Sequence, residues 1–215
     1  AIWDKKSGDV FLARDRVGIR PLFYTHQKGL FLFASEIKSI LQHPDISPSI
    51  NHKALHQVFT FWAPLTPNTA FSDIYEVPPG HYATLRKGRL EVKRYWELSY
   101  THHRNISLNS ALEEFEELLF DAVKLRLRSD VPVAAYLSGG IDSTATTHII
   151  KKIQPQNLQT FSIGFESDQY DETDYQNEAS RHLKTTHKRF TCQNDDIASH
   201  FAKVVWHTEV PMIRT

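Results

Sequence analysis

Apolar residues are spaced in two different patterns along the chain, and the pattern changes near residue 100. Before it, short apolar runs alternate with polar turns that contain glycine, which is typical of β-hairpins. Three hairpins and two short helices are predicted: hairpins over 1–14, 22–34 and 80–96, a helix that Ser35 caps and that carries Ile37, Ile40 and Leu41, and a helix over 51–59 that Asn51 caps. Four prolines make residues 64–79 a predicted loop.

After a polar linker over 99–106, helical spacing alternates with short apolar strands. The predicted order is a long helix capped by Ser107 or Asn109, a strand over 133–137, a helix over 142–153, a strand over 159–164, a helix over 172–183 capped by Asp171, a strand over 187–191, and a helix with Ile197, Phe201, Val204 and Val205 on one face. Strands separated by helices at this length predict an α/β fold with a doubly wound parallel sheet. Such sheets bind ligands at the carboxyl ends of their strands.

The segment Ser138-Gly-Gly-Ile-Asp-Ser-Thr144 lies between the predicted strand over 133–137 and the helix that follows. The first N–H groups of a helix lack partners and the helix dipole is positive there, so this junction favours anions. Gly139 and Gly140 allow a sharp turn and leave room for a phosphate, because they have no Cβ. We therefore predict a phosphate site here, with ATP as the ligand.

Polar side chains of the same segment would complete this site. Ser138, Ser143 and Thr144 supply hydroxyl donors, and Asp142 is a suitable ligand for a magnesium ion that bridges phosphate oxygens. No G-x-x-x-x-G-K-[ST] sequence occurs in the chain, so the loop is not of the Walker type. A plain strand-to-helix turn also favours serine and glycine, but the whole pattern after an apolar run favours nucleotide binding.

Composition narrows the classes of function. Lys+Arg and Asp+Glu are balanced at 25 each, so neither a nucleic-acid partner nor binding to an anionic membrane is expected. No apolar run approaches the roughly 18 residues of a membrane span, and a signal peptide is not expected from the first residues of this sequence. The single cysteine fits a reducing, cytoplasmic setting. Because the chain starts at Ala1 without a methionine, it is expected to be a fragment.

Several short segments, in their order along the chain, resemble glutamine-hydrolysing asparagine synthetases of the bacterial B-type family. In the first half they are A-R-D-R-V-G-I-R-P-L-F-Y at 13–24, A-S-E-I-K at 34–38 and V-P-P-G-H at 77–81. In the second half they are S-D-V-P-V at 129–133, the loop at 138–144, T-F-S-I-G at 160–164 and Y-D-E at 170–172. The resemblance covers nearly the whole chain.

This resemblance implies a two-domain enzyme. Residues 1–98 are expected to be the C-terminal part of a type 2 glutamine amidotransferase domain with the α+β fold of N-terminal nucleophile hydrolases. Residues 107–215, after a linker over 99–106, are expected to begin an ATP-pyrophosphatase domain of the adenine nucleotide alpha-hydrolase-like type. The first domain would release ammonia from glutamine, and the second would use ATP and Mg²⁺ to convert aspartate to β-aspartyl-AMP and then to asparagine. A homodimer is compatible with the family.

The resemblance also assigns individual residues. The expected contacts with the nucleotide and its pyrophosphate are Leu137, Ser138, Gly139, Gly140, Asp142 and Ser143, with the Thr144 hydroxyl beside them. Ile163 matches the position that touches adenosine, and Asp142 is the expected magnesium ligand. Leu137 and Ile163 also fit the pattern of plain core residues, and in this fold one residue can serve both purposes.

No catalytic residue is expected within residues 1–215. The family's glutaminase nucleophile is an N-terminal cysteine, whereas position 1 is Ala1, and the family's second acidic loop is not reached by Thr215. Cys192 lies on a predicted strand of the other domain and fits an inert core residue. The isolated segment is therefore expected to lack both glutaminase and synthetase activity.

Three alternatives stay open. A β-lactam synthetase-like enzyme shares both domains and the loop but adenylates a different carboxylate. GMP and NAD synthetases share the loop, although the sequence before it argues against them. A catalytically inactive nucleotide-binding module is the third alternative, and the exchange of pyrophosphate into ATP with and without aspartate separates it from an enzyme.

Other polar groups have structural interpretations. His52 and His56, four residues apart on a predicted helix, lack a third ligand and fit a solvated helix face. The acidic stretch Asp168–Asp174 fits the start of a helix better than a substrate or metal site. Arg214 lies where the family has an arginine near aspartate or the ATP phosphates, and its role is left open.

Three arginines, Arg14, Arg16 and Arg20, lie close together in the first half. Such a cluster would suit a phosphate patch. We expect instead that these arginines are structural and pair with acids such as Asp15 or Glu36.

Overall fold

The computed structural model describes residues 1–101, 103–165 and 171–211. Two compact units divide the chain: residues 1–102 with 201–215, and residues 103–200. Helices and strands are mixed along the chain, and the strands of the described residues form three sheets. The expectation of a mixed α/β protein with several sheets is confirmed at this level.

Two antiparallel sheets lie in the first unit. Their strands are β1 (Ile2–Trp3), β2 (Val10–Ala13), β3 (Phe23–Gln27), β4 (Leu30–Ala34), β5 (Tyr75–Glu76), β6 (His81–Arg86) and β7 (Arg89–Arg94). One sheet has the order β1-β2-β6-β7 and the other the order β4-β3-β5. All three predicted hairpins are present.

The strand β5 lies in the segment predicted as loop, so that part of the prediction is wrong. Its two residues pair with Phe23 and Tyr24 of β3. A two-residue strand is too short to show an alternating pattern, and the prolines that follow it favour a loop. The strand therefore depends on a distant partner rather than on its own sequence.

The first unit also contains the helices α1 (Ile37–Ile40) and α2 (His52–Phe61). Its buried core cluster consists of Phe23, Ile37, Ile40, Ile46 and Ile74. Asn51 caps α2 as predicted, because its side chain accepts a hydrogen bond from the Ala54 N–H at 3.1 Å.

The predicted cap of α1 is wrong. Glu36, not Ser35, is the N-cap residue, and its side chain makes no capping hydrogen bond. The Glu209 carboxylate accepts hydrogen bonds from the N–H groups of Ile37 and Lys38 instead, at 2.6 and 2.7 Å. Glu209 belongs to the same unit but follows these residues by 172 and 171 positions, so the local pattern gives no sign of it.

Arg14 is a structural residue, as expected. It is 8% exposed, and its guanidinium donates to the carbonyl oxygens of Arg20, Val77 and Gly18 at 2.9, 2.8 and 3.0 Å. It also forms an ion pair with Glu76 at 2.7 Å. This side chain therefore joins three loop carbonyls and is not available to a phosphate.

The acidic partners expected for Arg14, Arg16 and Arg20 are wrong, because none of the three forms an ion pair with Asp15 or Glu36 among the described residues. The Asp15 carboxylate accepts hydrogen bonds from the N–H groups of Arg20 and Ile19, at 3.0 and 2.9 Å, and these bonds lower the pKa of Asp15. Glu36 forms an ion pair with Lys38 at 3.2 Å. Both carboxylates thus interact with residues that lie two to five positions away in sequence.

The second unit contains a parallel sheet with the order β10-β9-β8. Its elements are α3 (Leu108–Arg126), β8 (Ala135–Tyr136), α4 (Ile141–Ile153), β9 (Gln159–Phe165), α5 (Thr173–Leu183), β10 (Thr186–Cys192) and α6 (Asn194–Thr208), which ends in the first unit. The buried core cluster consists of Val123, Ile149, Ile150 and Leu158. This order of helices and strands is the predicted one.

The edge strand β8 is shorter than the predicted 133–137. Only Ala135 and Tyr136 pair with β9. The strand has no second neighbour in the described sheet, so the apolar residues before it gain no further ladder partner. The apolar run predicts the strand correctly but overestimates its length.

The helix caps of this unit are partly as predicted. Ser107 caps α3 by accepting a hydrogen bond from the Ser110 N–H at 3.1 Å. Glu172, rather than Asp171, is the N-cap residue of α5, and its side chain makes no capping hydrogen bond. The Asp171 cap is therefore wrong, because the helix begins one residue later.

The apolar stripe of α3 reaches the core at Leu119 and Val123, but its earlier residues are exposed. Leu108, Leu112, Phe115 and Leu118 are exposed by 74, 56, 62 and 62%. The helical spacing thus predicted the element, whereas these side chains stay outside the core of the described unit. Neither α3 nor any other helix of the described residues is long and apolar enough to cross a membrane.

Candidate functional site

The predicted phosphate loop begins where β8 leaves the sheet. The Leu137 N–H donates to the Phe161 carbonyl of β9 at 2.8 Å, and Leu137 is fully buried. Residues 138–140 then turn away from the sheet, and α4 begins at Ile141. Because β8 and β9 are parallel, this loop lies at the carboxyl ends of the strands, where ligands of open α/β sheets bind.

The two glycines of the loop have different roles. Gly139 has φ +86°, and a Cβ there would lie 2.7 Å from the Tyr175 Cβ and 2.9 Å from the Gln176 nitrogen of α5. Gly140 has φ −70° and its nearest contact from a Cβ would be Ser138 Oγ at 3.4 Å. The turn and the close approach of α5 therefore require glycine at 139 but not at 140.

Two serine hydroxyls hold the loop in shape. Ser143 Oγ accepts from the Ser138 N–H and donates to the Gly140 carbonyl, both at 3.2 Å, and lies 2.9 Å from Ser138 Oγ. Ser138 Oγ accepts from the Gly140 N–H at 3.3 Å. The Thr144 hydroxyl oxygen is buried and has no hydrogen-bond partner in the described part of the chain.

Backbone N–H groups are the natural anion donors of this loop. Ile141, Asp142 and Ser143 begin α4, so their N–H groups have no carbonyl four residues earlier inside the helix. The positive end of the helix dipole lies at the same place. An anion here would therefore meet oriented donors in a loop whose shape is already held by its serines.

Asp142 lies in the first turn of α4 and is exposed. It borders a cleft of about 390 Å³ that is also lined by residues of α3, of the 133–136 segment and of α4. Within residues 103–165 and 171–211 it forms no ion pair. Mg²⁺ commonly uses one or two carboxylates together with substrate phosphates and water, so a single exposed carboxylate beside a phosphate loop suits it.

Ile163, the residue of β9 that is predicted to contact adenosine, is open to solvent. The Ile163 side chain is 54% exposed, so the interpretation as a plain core residue is wrong for this position. Its carbonyl oxygen accepts a hydrogen bond from Gln176 Nε2 at 3.1 Å. Leu137, in contrast, is fully buried, and its N–H and carbonyl groups are hydrogen-bonded to Phe161 and Ser162 of β9.

Comparison with known proteins assigns both parts of the chain. Residues 1–96 match the glutamine amidotransferase domain family, and residues 114–215 match the asparagine synthase family. Asparagine synthetase [glutamine-hydrolyzing] 3 of Bacillus subtilis is 35% identical over 98% of this chain. The chain belongs to the asparagine synthetase family.

Other relatives of this family member have similar identities. A putative glutamine-hydrolysing asparagine synthetase 2 of Methanocaldococcus jannaschii is 33% identical over 98% of the chain. The amidase chyE of Penicillium rubens is 32% identical, also over 98% of the chain. The chain spans 37, 41 and 34% of the length of these three relatives.

Within the segment that matches asparagine synthase, the sequence does not predict the roles of two polar residues near the loop. Ser162 is 4% exposed and its hydroxyl donates to the Leu137 carbonyl, so it fixes the entry to the loop. Gln176 is 2% exposed and binds the Ile163 carbonyl. Neither stands out in the sequence, because each lies next to other buried polar residues: β9 also buries Thr160, and α5 also buries Ser180. Only the contacts of the folded chain distinguish them.

The acidic stretch is only partly described. Asp168 lies outside the described residues, as does Arg214. Asp171 accepts a hydrogen bond from the Thr173 hydroxyl, and Arg189 of β10 donates to the same hydroxyl. These contacts link the start of α5 to the sheet.

The remaining candidates have structural environments. His52 and His56 are both exposed on α2, as expected for a solvated face. No group of three or more His, Cys, Asp or Glu side chains suited to a metal occurs in the described ranges. Cys192 is the last residue of β10 and is only half-buried, so its assignment to the core is wrong.

Proposed function

We propose that this chain is part of an ATP-dependent amide ligase that makes asparagine from aspartate and glutamine-derived ammonia. The loop at 138–144 would bind the pyrophosphate part of Mg-ATP. The observation that carries the proposal is the strand–loop–helix junction at the carboxyl ends of a parallel sheet. This junction lies in the segment that matches asparagine synthase, and its turn requires glycine at 139.

Each part of the loop has a task in this reaction. The N–H groups at the start of α4 hold phosphate oxygens, while Ser138 and Ser143 keep the loop in the geometry that exposes them. Asp142 would hold Mg²⁺, which when bound neutralises charge on the phosphates. Ile163 lies on the neighbouring strand as the adenosine contact.

The chemistry has two steps. An aspartate carboxylate oxygen forms a bond to the α-phosphorus of ATP, and the bond from that phosphorus to pyrophosphate breaks. Ammonia then attacks the acyl carbon of β-aspartyl-AMP, AMP leaves with the bonding electron pair, and the amide loses a proton. Holding pyrophosphate at the loop favours the first step, because it steadies the leaving group.

The finer structural expectations form part of the same proposal. Residues 1–98 would belong to an amidotransferase domain of the N-terminal nucleophile type, and 107–215 to an ATP-pyrophosphatase domain with a doubly wound sheet, joined by 99–106. The single cysteine supports the cytoplasm as the compartment. A homodimer stays a prediction.

Calorimetric titration with Mg-ATP tests the nucleotide site in the protein that contains this chain. Asp142→Asn should raise the Kd for Mg-ATP about tenfold or more, because the metal loses its carboxylate. Asp195→Asn is the matched control, since Asp195 is an exposed aspartate in the first turn of α6. Equal affinities of the two variants for Mg-ATP would contradict the assignment of Asp142.

A further inference from the structure

Gln176 is a buried polar residue that belongs to neither a catalytic motif nor the predicted core. It lies in the first turns of α5 and is 2% exposed. Its Nε2 donates to the Ile163 carbonyl at 3.1 Å, whereas its Oε1 is buried without a hydrogen-bond partner among the described residues.

The Ile163 carbonyl faces β8, but β8 ends too early to provide a hydrogen-bond donor for it. Carbonyl groups two residues apart on a strand point to the same side, so those of Phe161 and Ile163 both face β8. The Leu137 N–H donates a hydrogen bond to the Phe161 carbonyl at 2.8 Å. In a continued parallel ladder the Gly139 N–H would donate to the Ile163 carbonyl, but at Gly139 the chain turns out of the sheet with φ +86°.

The Gln176 side chain fills this position. Its amide N–H replaces the missing strand donor at the point where β8 and β9 separate. The Gln176 backbone lies against Gly139, since its nitrogen would be 2.9 Å from a Cβ placed there. One residue of α5 thus contacts both the phosphate loop and the end of β9.

The hydrogen bonds of the amide bring little net stability. Gln176 satisfies the Ile163 carbonyl but leaves its own buried Oε1 without a partner among the described residues. An apolar side chain of the same volume would bury no unpaired amide oxygen but would leave the Ile163 carbonyl without this donor. The amide is therefore explained by what it holds in place.

We infer that Gln176 is a positioning residue that holds the end of β9, and with it Ile163, in the geometry that binds the adenosine part of ATP. The inference rests on the proposed function. Its side chain bonds to Ile163 and not to the phosphate loop, so its removal should affect adenosine binding while pyrophosphate binding stays the same.

Gln176→Leu tests this role, because leucine fills a similar volume without a donor. Kd values for Mg-ATP and for magnesium pyrophosphate are measured by calorimetry on the protein that contains this chain. We expect the Kd for Mg-ATP to rise about five- to tenfold, the effect of one hydrogen bond, with the pyrophosphate Kd unchanged. Asn177→Leu, an amide-to-leucine change at an exposed position of the same helix, should change neither value.

Gln176→Met is the second variant, in case leucine does not allow folding, and its expected result is the same. Equal loss of both ligands would show a general structural role and overturn the inference. Unchanged binding of both ligands would overturn it as well. A wild-type protein that binds neither ligand would contradict the proposed function itself, which is seen before any variant is made.

Discussion

At the scale of single residues, Gly139 shows how much a short sequence can and cannot reveal. The Ser-Gly-Gly pattern predicted a tight turn before a helix, and the turn is there. The sequence pattern does not distinguish Gly139 from Gly140, but of the two only Gly139 has a positive φ and lies against α5. That difference depends on Tyr175 and Gln176, which no local pattern connects to the loop.

Substitution of the two glycines should separate these roles. Gly139→Ala should lower the free energy of unfolding by about 1–3 kcal/mol, because alanine is strained at φ +86° and its Cβ would overlap Tyr175 and Gln176. Gly140→Ala is the control and should cost less than about 1 kcal/mol, since φ is −70° and the nearest atom is 3.4 Å away. Urea denaturation measures both. Equal destabilisation would contradict the account of the turn.

At the scale of elements, hairpins and helices were predictable because their signals are local. Alternating apolar runs with glycine turns gave the three hairpins, and helical spacing gave α2 through α6. The strand β5, the short β8 and the cap of α1 were not predictable, because each depends on residues far away in sequence. Glu209 is the clearest case.

Removing this distant cap should destabilise the first unit. Glu209→Ala leaves the N–H groups of Ile37 and Lys38 without their acceptor, and we expect a loss of about 1–3 kcal/mol in the free energy of unfolding. The control Glu36→Ala removes an exposed partner of Lys38 and should cost less than about 1 kcal/mol. Urea denaturation with a probe in the first unit provides the measurement. If the two variants were equally stable, Glu209 would not be the cap that holds α1.

At the scale of the whole molecule, family segments and compact units do not coincide. The asparagine synthase match runs over 114–215, yet residues 201–215 belong to the first unit together with the amidotransferase match over 1–96. The order of short segments along the sequence was enough to identify the family. The predicted boundaries at 98 and 107 stay predictions, because a linker without regular structure leaves no sharp limit in the sequence.

The exchange of labelled pyrophosphate into ATP is the most direct test of the central claim, that the loop at 138–144 serves aspartate adenylation. It is measured in the protein that contains this chain, with and without aspartate. We predict that aspartate and Mg²⁺ together raise the exchange rate about tenfold or more over either alone, because exchange requires reversible formation of β-aspartyl-AMP. Exchange that is absent, or that does not depend on aspartate, would contradict the account.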